Sequence, residues 1–348
     1  MTVYAERRKK ALALAKGSPV VAMTGANMFY LTDFWGGGAA IVEPEKTVVV
    51  TTPLEADRAE ELAHEAEVVT VKRWDDVARQ VGRLSGRAEA LVDDDRQLRA
   101  DARFKLRPDV FLGARRVKDE AEIVRIARAC KGLDSIFEEM PRLLKPGRTE
   151  WEVAADVMKI ATADELVPPS FDGALSPLIL ASGPNGALPH SDLTRRRLES
   201  GDMVVVDIFF RYLGYHSDAT RTFALGRPNA EAKKDYSAVL ESQLESLRLV
   251  RTGAKCGDVH QKVVSTLQKS GLAEYFIHST GHGVGIDIHE EPGIRSGSET
   301  VLQENEVVTD EPGIYKAGKY GIRIEDTVRV GAKPTVMTRY TKELVTAG

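Results

Sequence analysis

The sequence predicts a two-domain protein in which a small α/β domain precedes a larger α+β domain of helices and antiparallel hairpins. The chain has 348 residues, a length that favours two domains over one. Short helix-like and strand-like segments alternate up to about residue 115, whereas longer amphipathic helices followed by paired strands fill the rest. We therefore place the domains at residues 1–115 and 116–348.

The N-terminal domain is predicted from alternating helical and extended periodicities. Its elements, in order, are the helix ERRKKALALAK, the strands PVVAM, GGGAAIVEP and KTVVVTTP, the helix LEADRAEELAHEA, the strand EVVTVK, the helix DDVARQVGRL and the strand AEALVD. The glycines at 36–38 lack the G-x-G-x-x-G spacing of a nucleotide loop. They predict a turn or a closely packed backbone instead.

The second domain begins where helix-start signals appear. Asp119 with Glu122, and Thr149 with Glu152, form two capping boxes, and the first opens a long helix that runs toward Leu144. A second series of the same kind follows. It consists of the helices NAEAKKDYSAVLESQLESLRLVR and GDVHQKVVSTLQKSG and the strand-like runs ENEVVTDEPGIY and GIRIEDTVRV. Two successive units of helix, helix and hairpin indicate an internal duplication of architecture.

Composition excludes several classes of protein. The formal net charge is -4, so no basic field would attract nucleic acid or anionic membranes. No apolar run approaches the roughly 20 residues of a membrane helix, and the N-terminus is a poor signal peptide. Cys130 and Cys256 have no CxxC partner and predict buried free thiols. We expect a soluble protein in the cytoplasm.

The stretch MVVVDIFFRYLGYHSDATRTF carries Asp207 and Asp218 on one predicted hairpin. A loop of Tyr212 and Leu213 would set the two acids directly opposite one another. A loop of Leu213 and Gly214 would leave them diagonal on the same face. Like charges at either position destabilise a sheet, so a positive group is expected between them. A metal ion and a paired arginine are equally acceptable on this hairpin alone.

A second hairpin repeats the pattern with Glu311 and Glu325. A three-residue loop centred on Gly318 would set these acids opposite one another. Arg323 or Lys319 could neutralise this pair, but two such hairpins in one domain favour a shared metal site.

Histidines between and before these hairpins extend the candidate site. His282 lies between two glycines, which allow a close approach of the backbone to a crowded centre. His289 follows seven residues later, and His190 ends the glycine- and proline-rich loop SGPNGALPH. Four carboxylates with one imidazole suit two divalent ions, which activate water and polarise a carbonyl group. The sequence therefore predicts metal-assisted hydrolysis.

Six motifs along the whole chain resemble the creatinase/prolidase family of metallopeptidases. They are NMFYLTDF, SFDGALSPLILASGPNGALPH, VVVDIFFRYLGYHSDATRTF, HSTGHGVGIDIHEEPG, TDEPGIY and GIRIEDT. The resemblance implies a small creatinase-like α/β domain and a C-terminal pita-bread domain with a curved, largely antiparallel sheet.

The resemblance also implies a role for each metal ligand. Asp207 would hold one ion, and Asp218 and Glu325 would bridge both. His282 and Glu311 would complete the second ion, with Glu311 also acting as general base. The ions would be Mn²⁺ or Co²⁺, with Zn²⁺ or Fe²⁺ as alternatives.

Three further residues are implied to contact or support the substrate. His190 and His289 would bind it and stabilise the tetrahedral intermediate. Arg323 would contribute to the substrate site while tuning the Glu325 ligand from behind.

The implied activity is hydrolysis of the bond before proline in a small peptide, a tertiary amide with no N–H. An Xaa-Pro dipeptidase is favoured, and an Xaa-Pro aminopeptidase for longer peptides is the alternative. Gly293 stands where prolidases often carry an arginine, so dipeptide preference depends on whether Arg295 reaches the product carboxylate. A non-catalytic binding protein on the same fold is a third hypothesis.

Two other expectations follow from the family comparison. Asp310 replaces the usual apolar residue before Glu-Pro-Gly, and strand alternation predicts that it points away from the metals. A homodimer is implied, in which the loop LTDFWGGG would contribute to the partner's active site.

Overall fold

The computed structural model describes residues 2–86, 89–169 and 176–348. The chain divides into two compact units, Met1–Arg116 and Val117–Gly348. The start of one family motif, residues 170–175, lies outside the described residues. Within the described ranges, no helix is both long enough and apolar enough to cross a membrane.

The first unit is built around one mixed sheet with strand order β4-β3-β2-β1-β5-β6. Its elements are α1 (Val3–Leu14), β1 (Val20–Ala22), α2 (Gly25–Thr32), β2 (Ala39–Val42), β3 (Thr47–Thr51), α3 (Ala56–Leu62), β4 (Glu67–Thr70), α4 (Trp74–Leu84), β5 (Ala90–Val92), β6 (Phe104–Leu106) and α5 (Pro108–Arg116). The order of helices and strands agrees with the prediction, to which the structure adds α2, β6 and α5. Val77 and Val81 of α4 pack against Ile41 and Val48 in the core of this unit.

The glycine-rich segment 36–38 is closely packed, as its spacing predicts. A Cβ atom at Gly37 would lie 2.0 Å from the ring of Trp74, and one at Gly36 would lie 2.2 Å from the ring of Phe34. Only residues without a side chain fit against these two rings.

In the second unit, the described residues form two helix pairs and three sheets. Its elements are α6 (Glu120–Leu143), α7 (Glu150–Ala163), β7 (Ile179–Ser182), β8 (Met203–Tyr212), β9 (Tyr215–Leu225), α8 (Ala230–Leu247), α9 (Cys256–Lys269), β10 (Gly281–Gly283), β11 (Glu290–Ile294), β12 (Val307–Asp310), β13 (Gly313–Lys316), β14 (Tyr320–Arg323), β15 (Asp326–Arg329), β16 (Thr335–Val336) and β17 (Thr346–Ala347). The sheets have the orders β17-β9-β8-β7, β11-β10-β12-β15-β16 and β13-β14. Only β17 and β9 pair in parallel among these strands, as a largely antiparallel domain requires.

Both predicted capping boxes are present. The Asp119 side chain accepts from the N–H of Glu122, whose carboxylate accepts from the N–H of Asp119, and Thr149 and Glu152 do the same for α7. Each bond satisfies an N–H that the first helical turn leaves without a partner. Apolar residues of α6 such as Phe137 then pack against β8 and β9.

The hairpin of β8 and β9 turns at Leu213 and Gly214, which both have positive φ angles, 44° and 86°. This two-residue turn matches the right-handed twist of the paired strands. It sets Asp218 opposite Phe209, so that Asp207 and Asp218 lie diagonally on one face. Of the two registers that the sequence allows, the structure adopts the diagonal one.

The second hairpin has the predicted three-residue loop at 317–319, with Gly318 at φ 72°. Lys316 pairs with Tyr320, and Asp310 pairs with Asp326 further along the same register. The register therefore sets Glu311 and Glu325 opposite one another between these pairs, where β12 gives way to β13 and β14 to β15.

Candidate metal centre

The acids of both hairpins and His282 meet at one cavity of about 310 Å³. Its described lining includes all five predicted metal ligands, which are Asp207, Asp218, His282, Glu311 and Glu325. Each hairpin supplies two of the carboxylates, and β10, which pairs with β12, supplies the imidazole. The duplicated architecture thus brings residues from distant parts of the chain to one point.

His282 lies close to carboxylates from both hairpins. Its Nε2 is 3.6 Å from Oδ2 of Asp218 and 3.6 Å from Oε1 of Glu311. One ligand atom from each of Asp218, His282 and Glu325 lies within 4.8 Å of the other two. This spacing fits side chains gathered around a cation.

The other ring nitrogen fixes the tautomer of His282. Nδ1 lies 3.0 Å from the carbonyl oxygen of Gly283, which can only accept a hydrogen bond, so Nδ1 carries the proton. Burial, followed by the neighbouring His289, lowers the pKa of His282 to about 3. The imidazole is therefore neutral, and the Nε2 lone pair faces the carboxylates as a metal ligand requires.

The carboxylates are crowded and poorly solvated. Burial, with the charges of Glu325 and Asp207, raises the pKa of Asp218 well above its usual value, and burial with Glu311 and Asp207 does the same for Glu325. Burial raises the pKa of Glu311 to about 7. The buried Oδ1 atoms of Asp207 and Asp218 have no hydrogen-bond partner among the described residues. Hard acceptor oxygens arranged in this way fit divalent cations.

Residues behind the predicted metal ligands hold two of them in orientation. The guanidinium of Arg323 is 2% exposed, and its Nη2 pairs with Asp207. Its Nε donates to the hydroxyl of Thr220 at 3.1 Å, and that hydroxyl donates to Oε2 of Glu325 at 2.7 Å. Arg323 therefore contacts Asp207 directly and reaches Glu325 through Thr220.

His278 and Tyr315 also contact the site, although the sequence pattern indicated no role for either. The Tyr315 hydroxyl accepts from Nη1 of Arg323 at 2.7 Å and lies 2.9 Å from Nε2 of His278. Nδ1 of His278 donates to the carbonyl of Ser279, so Nε2 accepts from the tyrosine. No spacing in the sequence marks either residue, since His278 lies in the loop before the strand that carries His282.

The two predicted substrate histidines both line the cavity with exposed side chains. The ring of His289 packs edge-on against His282, with centroids 4.3 Å apart. His190 lies on the segment that follows β7. Arg295 is exposed and is not among the described residues that line the cavity.

Asp310 is buried on the other side of its strand from the metal centre. Its Oδ1 and Oδ2 each accept from the hydroxyl of Ser246 on α8 at 2.9 Å. The adjacent Glu311 lines the cavity, so the expected alternation of side chains is present.

Both cysteines are free and buried, as the sequence predicts. Burial raises the pKa of Cys130, which keeps its thiol protonated. The described cavity lining contains neither cysteine, so thiolate chemistry has no place at this site.

The chain is similar to known proteins in sequence and in fold. Residues 124–332 match the model of metallopeptidase family M24. An Xaa-Pro dipeptidase of Pyrococcus furiosus is 34% identical over 330 residues, which cover 92% of each chain. A probable dipeptidase PepE of Mycobacterium bovis is 41% identical over 226 residues, which cover 65% of this chain and 59% of that relative.

Solved structures extend the similarity to the complete fold. An Xaa-Pro dipeptidase from Bacillus anthracis superposes with a TM-score of 0.90 at 31% identity and covers 99% of both chains. The prolidase from Pyrococcus horikoshii OT3 gives a TM-score of 0.89 at 30% identity over 99% of this chain and all of that one. The predicted fold class is confirmed, and the family implies divalent metal ions. Its sequence match, its fold and its acidic centre together make this chain a member of metallopeptidase family M24.

Proposed function

We propose that this chain is a dinuclear-metal Xaa-Pro dipeptidase. The observation that carries the proposal is the convergence of two carboxylates from each hairpin with the neutral imidazole of His282 on one cavity. The proposed metal ligands are Asp207, Asp218, His282, Glu311 and Glu325. Relatives with similar sequences over nearly the whole chain are named Xaa-Pro dipeptidases.

The ions, when bound, would activate a water molecule and polarise the scissile carbonyl group. Glu311 is the proposed proton acceptor, as the family resemblance implies, since its carboxylate lines the cavity 3.6 Å from Nε2 of His282, where an activated water would lie within reach. Arg323 holds Asp207 in place, and Thr220 orients Oε2 of Glu325. These contacts limit the rotation of two proposed ligands.

His190 and His289 are proposed to bind the substrate. Both are exposed side chains in the cavity lining, so they can donate hydrogen bonds to a peptide without displacing the buried ligands. Proline supplies no amide N–H at the scissile bond. Recognition must therefore use the carbonyl oxygen and the ends of the peptide.

Cleavage of longer peptides, as by an Xaa-Pro aminopeptidase, is the second candidate. It is favoured by Arg295, whose exposed side chain is not part of the described cavity lining. An arginine that binds the carboxylate of proline would favour dipeptides, in which proline is the last residue. If Arg295 does not make this contact, the HEEPG segment before it supplies no other cation to select against a longer substrate. Relatives named putative Xaa-Pro aminopeptidase also match this chain.

The deciding experiment supplies metal-free protein with Mn²⁺, Co²⁺ or Zn²⁺ and assays an Xaa-Pro dipeptide beside the matching Xaa-Pro-Yaa tripeptide. We expect cleavage of the dipeptide and about two bound ions per chain. Cleavage of the tripeptide alone would replace the proposal with the aminopeptidase.

The Asp218→Ala variant should be inactive. Arg295→Ala should raise KM for the dipeptide if Arg295 binds its carboxylate.

A protein that binds no metal and cleaves neither peptide would support a non-catalytic role. Homodimer formation, a contribution of the loop LTDFWGGG to the partner's site and a cytoplasmic location are proposed on the family resemblance. Light scattering tests the first. Kinetics of a monomeric variant test the second, because unimpaired activity would contradict it.

A further inference from the structure

A buried acid outside the metal centre makes an unusual set of contacts. Glu150, the first residue of α7, has no exposed surface. Its Oε1 accepts from the N–H and the hydroxyl of Ser182, both at 2.8 Å, and from Nδ2 of Asn185 at 3.1 Å. Its Oε2 accepts from the N–H of Thr194 at 3.0 Å and from its hydroxyl at 2.7 Å. Five donors thus solvate a carboxylate that water does not reach.

The donors lie at the two ends of one loop. Ser182 is the last residue of β7, and Thr194 lies beyond His190. The two oxygens of Glu150 therefore hold the start and the end of the segment 183–193 against the N-terminus of α7. His190 is on this segment.

The middle of the same loop is held against β14. A Cβ atom at Gly321 would lie 1.8 Å from the carbonyl oxygen of Gly186, so the two backbones touch. The carbonyl of Pro189 accepts from Nη1 of Arg323 at 3.2 Å. The residue before His190 is thereby joined to the arginine that pairs with Asp207. The loop conformation and the orientation of one proposed metal ligand depend on the same side chain.

We propose that Glu150 is a positioning residue for His190. Its carboxylate closes the base of the loop, and the contacts of Gly186 and Pro189 then direct the imidazole into the cavity. A glutamine cannot replace it, because one end of the loop would meet an amide NH₂ group where it now meets an acceptor. This inference rests on the proposed peptidase function, in which His190 contacts the substrate.

The first test compares Glu150→Gln with Glu152→Gln, the same substitution two residues later in the exposed capping box of α7. Glu150→Gln should lower kcat/KM for an Xaa-Pro dipeptide at least tenfold, with an unchanged number of bound metal ions. It should also speed hydrogen exchange at the amides of Ser182 and Thr194, which donate to Glu150. Glu152→Gln should leave both measurements within twofold of the parent protein.

A double-mutant cycle with His190→Ala separates positioning from general destabilisation. If Glu150 acts through His190, Glu150→Gln should lower kcat/KM less than twofold in the His190→Ala background. An undiminished loss in that background would overturn the proposal. If the parent protein cleaves no proline peptide, the proposed function fails, while hydrogen exchange still tests whether Glu150 holds the loop.

A milder pair of variants covers the case in which Glu150→Gln does not fold. Thr194→Val removes one hydroxyl donor and keeps the backbone N–H, whereas Thr194→Ser keeps both. Thr194→Val should lower kcat/KM about threefold and speed exchange in 183–193, and Thr194→Ser should match the parent protein. If the two variants gave equal kinetics and equal exchange rates, the proposed role of Glu150 in holding the loop would be contradicted.

Discussion

Adjacent acids at the end of β12 have opposite environments although they differ by one position in the chain. Glu311 lines the cavity beside His282, whereas Asp310 is bonded to Ser246 on α8. Burial raises the pKa of both carboxyl groups, so burial alone does not identify a functional acid. The functional acid is identified by its contact with the other residues of the site.

These neighbours provide a matched pair of amide substitutions. Glu311→Gln should reduce the number of bound metal ions and lower kcat/KM by about 10² or more, since a proposed ligand and proton acceptor is lost. Asp310→Asn should keep metal content and activity within about twofold, because Ser246 can donate to an amide oxygen equally well. Metal analysis and steady-state kinetics of both variants check this. Loss of metal from Asp310→Asn alone would contradict the assignment.

The acids that line the cavity could be predicted from the sequence more easily than the residues that support them. Asp207 and Asp218 stand out because acids are unusual inside apolar strands. Tyr315 and His278 have no such signature, since tyrosine and histidine are common in partly buried positions. Their role depends on a hydrogen bond between residues 37 positions apart, and such a contact is defined only by the fold.

At the level of elements, the length and position of each hairpin turn set the register that brings the acids together. The loop at 317–319 could be predicted because Gly318 marks the position that needs a positive φ. The loop of the first hairpin could not, because Tyr212-Leu213 and Leu213-Gly214 both give plausible two-residue turns and Leu213 adopts φ 44° without being glycine. The strand β6 has only three residues, too few for a clear period.

A buried ion pair joins two of the sheets on which the predicted metal ligands lie. Nη2 of Arg221 on β9 lies 2.8 Å from Oδ1 of Asp326 on β15, and Nε donates to the carbonyl of Thr341 at 2.9 Å. The two side chains are 2% and 0% exposed. Removing one partner from such a pair leaves the charge of the other buried without an opposite charge beside it.

The Arg221→Met variant should therefore lose about 3–5 kcal/mol of unfolding free energy. Arg248→Met provides the control, because Arg248 pairs with Glu245 at the surface and its side chain is 73% exposed. That substitution should cost no more than about 1 kcal/mol. Urea denaturation of both metal-free variants measures the difference. Equal stabilities would show that the buried pair contributes no more than a surface pair.

For the molecule as a whole, we expect metal binding to release protons from the carboxyl groups of the centre. Asp218 and Glu325 have pKa values raised well above their usual range, and the pKa of Glu311 is raised to about 7. Groups whose folded pKa is raised stabilise the metal-free protein at low pH, and that contribution is lost as pH rises through the folded pKa. Metal ions at the proposed site would bind the deprotonated carboxylates and offset the repulsion between their charges.

We therefore expect metal affinity to increase with pH up to and beyond about 7, with protons released on binding. Calorimetry in buffers of different ionisation enthalpy measures the number released. Added metal at about 100 times its Kd should also stabilise the fold by about 2.7 kcal/mol. The pH range from 5 to 8 extends about one to two units on either side of the raised pKa of Glu311. Metal affinity that does not change over this range would contradict the claim that carboxyl groups of the metal-free centre are protonated.

The division of the centre between two hairpins has a consequence for synthesis of the protein. Asp207 and Asp218 leave the ribosome long before Glu311 and Glu325, and His282 emerges between them. A nascent chain therefore carries one half of the centre, with two unneutralised acids in an apolar hairpin, while the other half is still being translated. The complete set of five proposed metal ligands exists only when the second hairpin has emerged and paired.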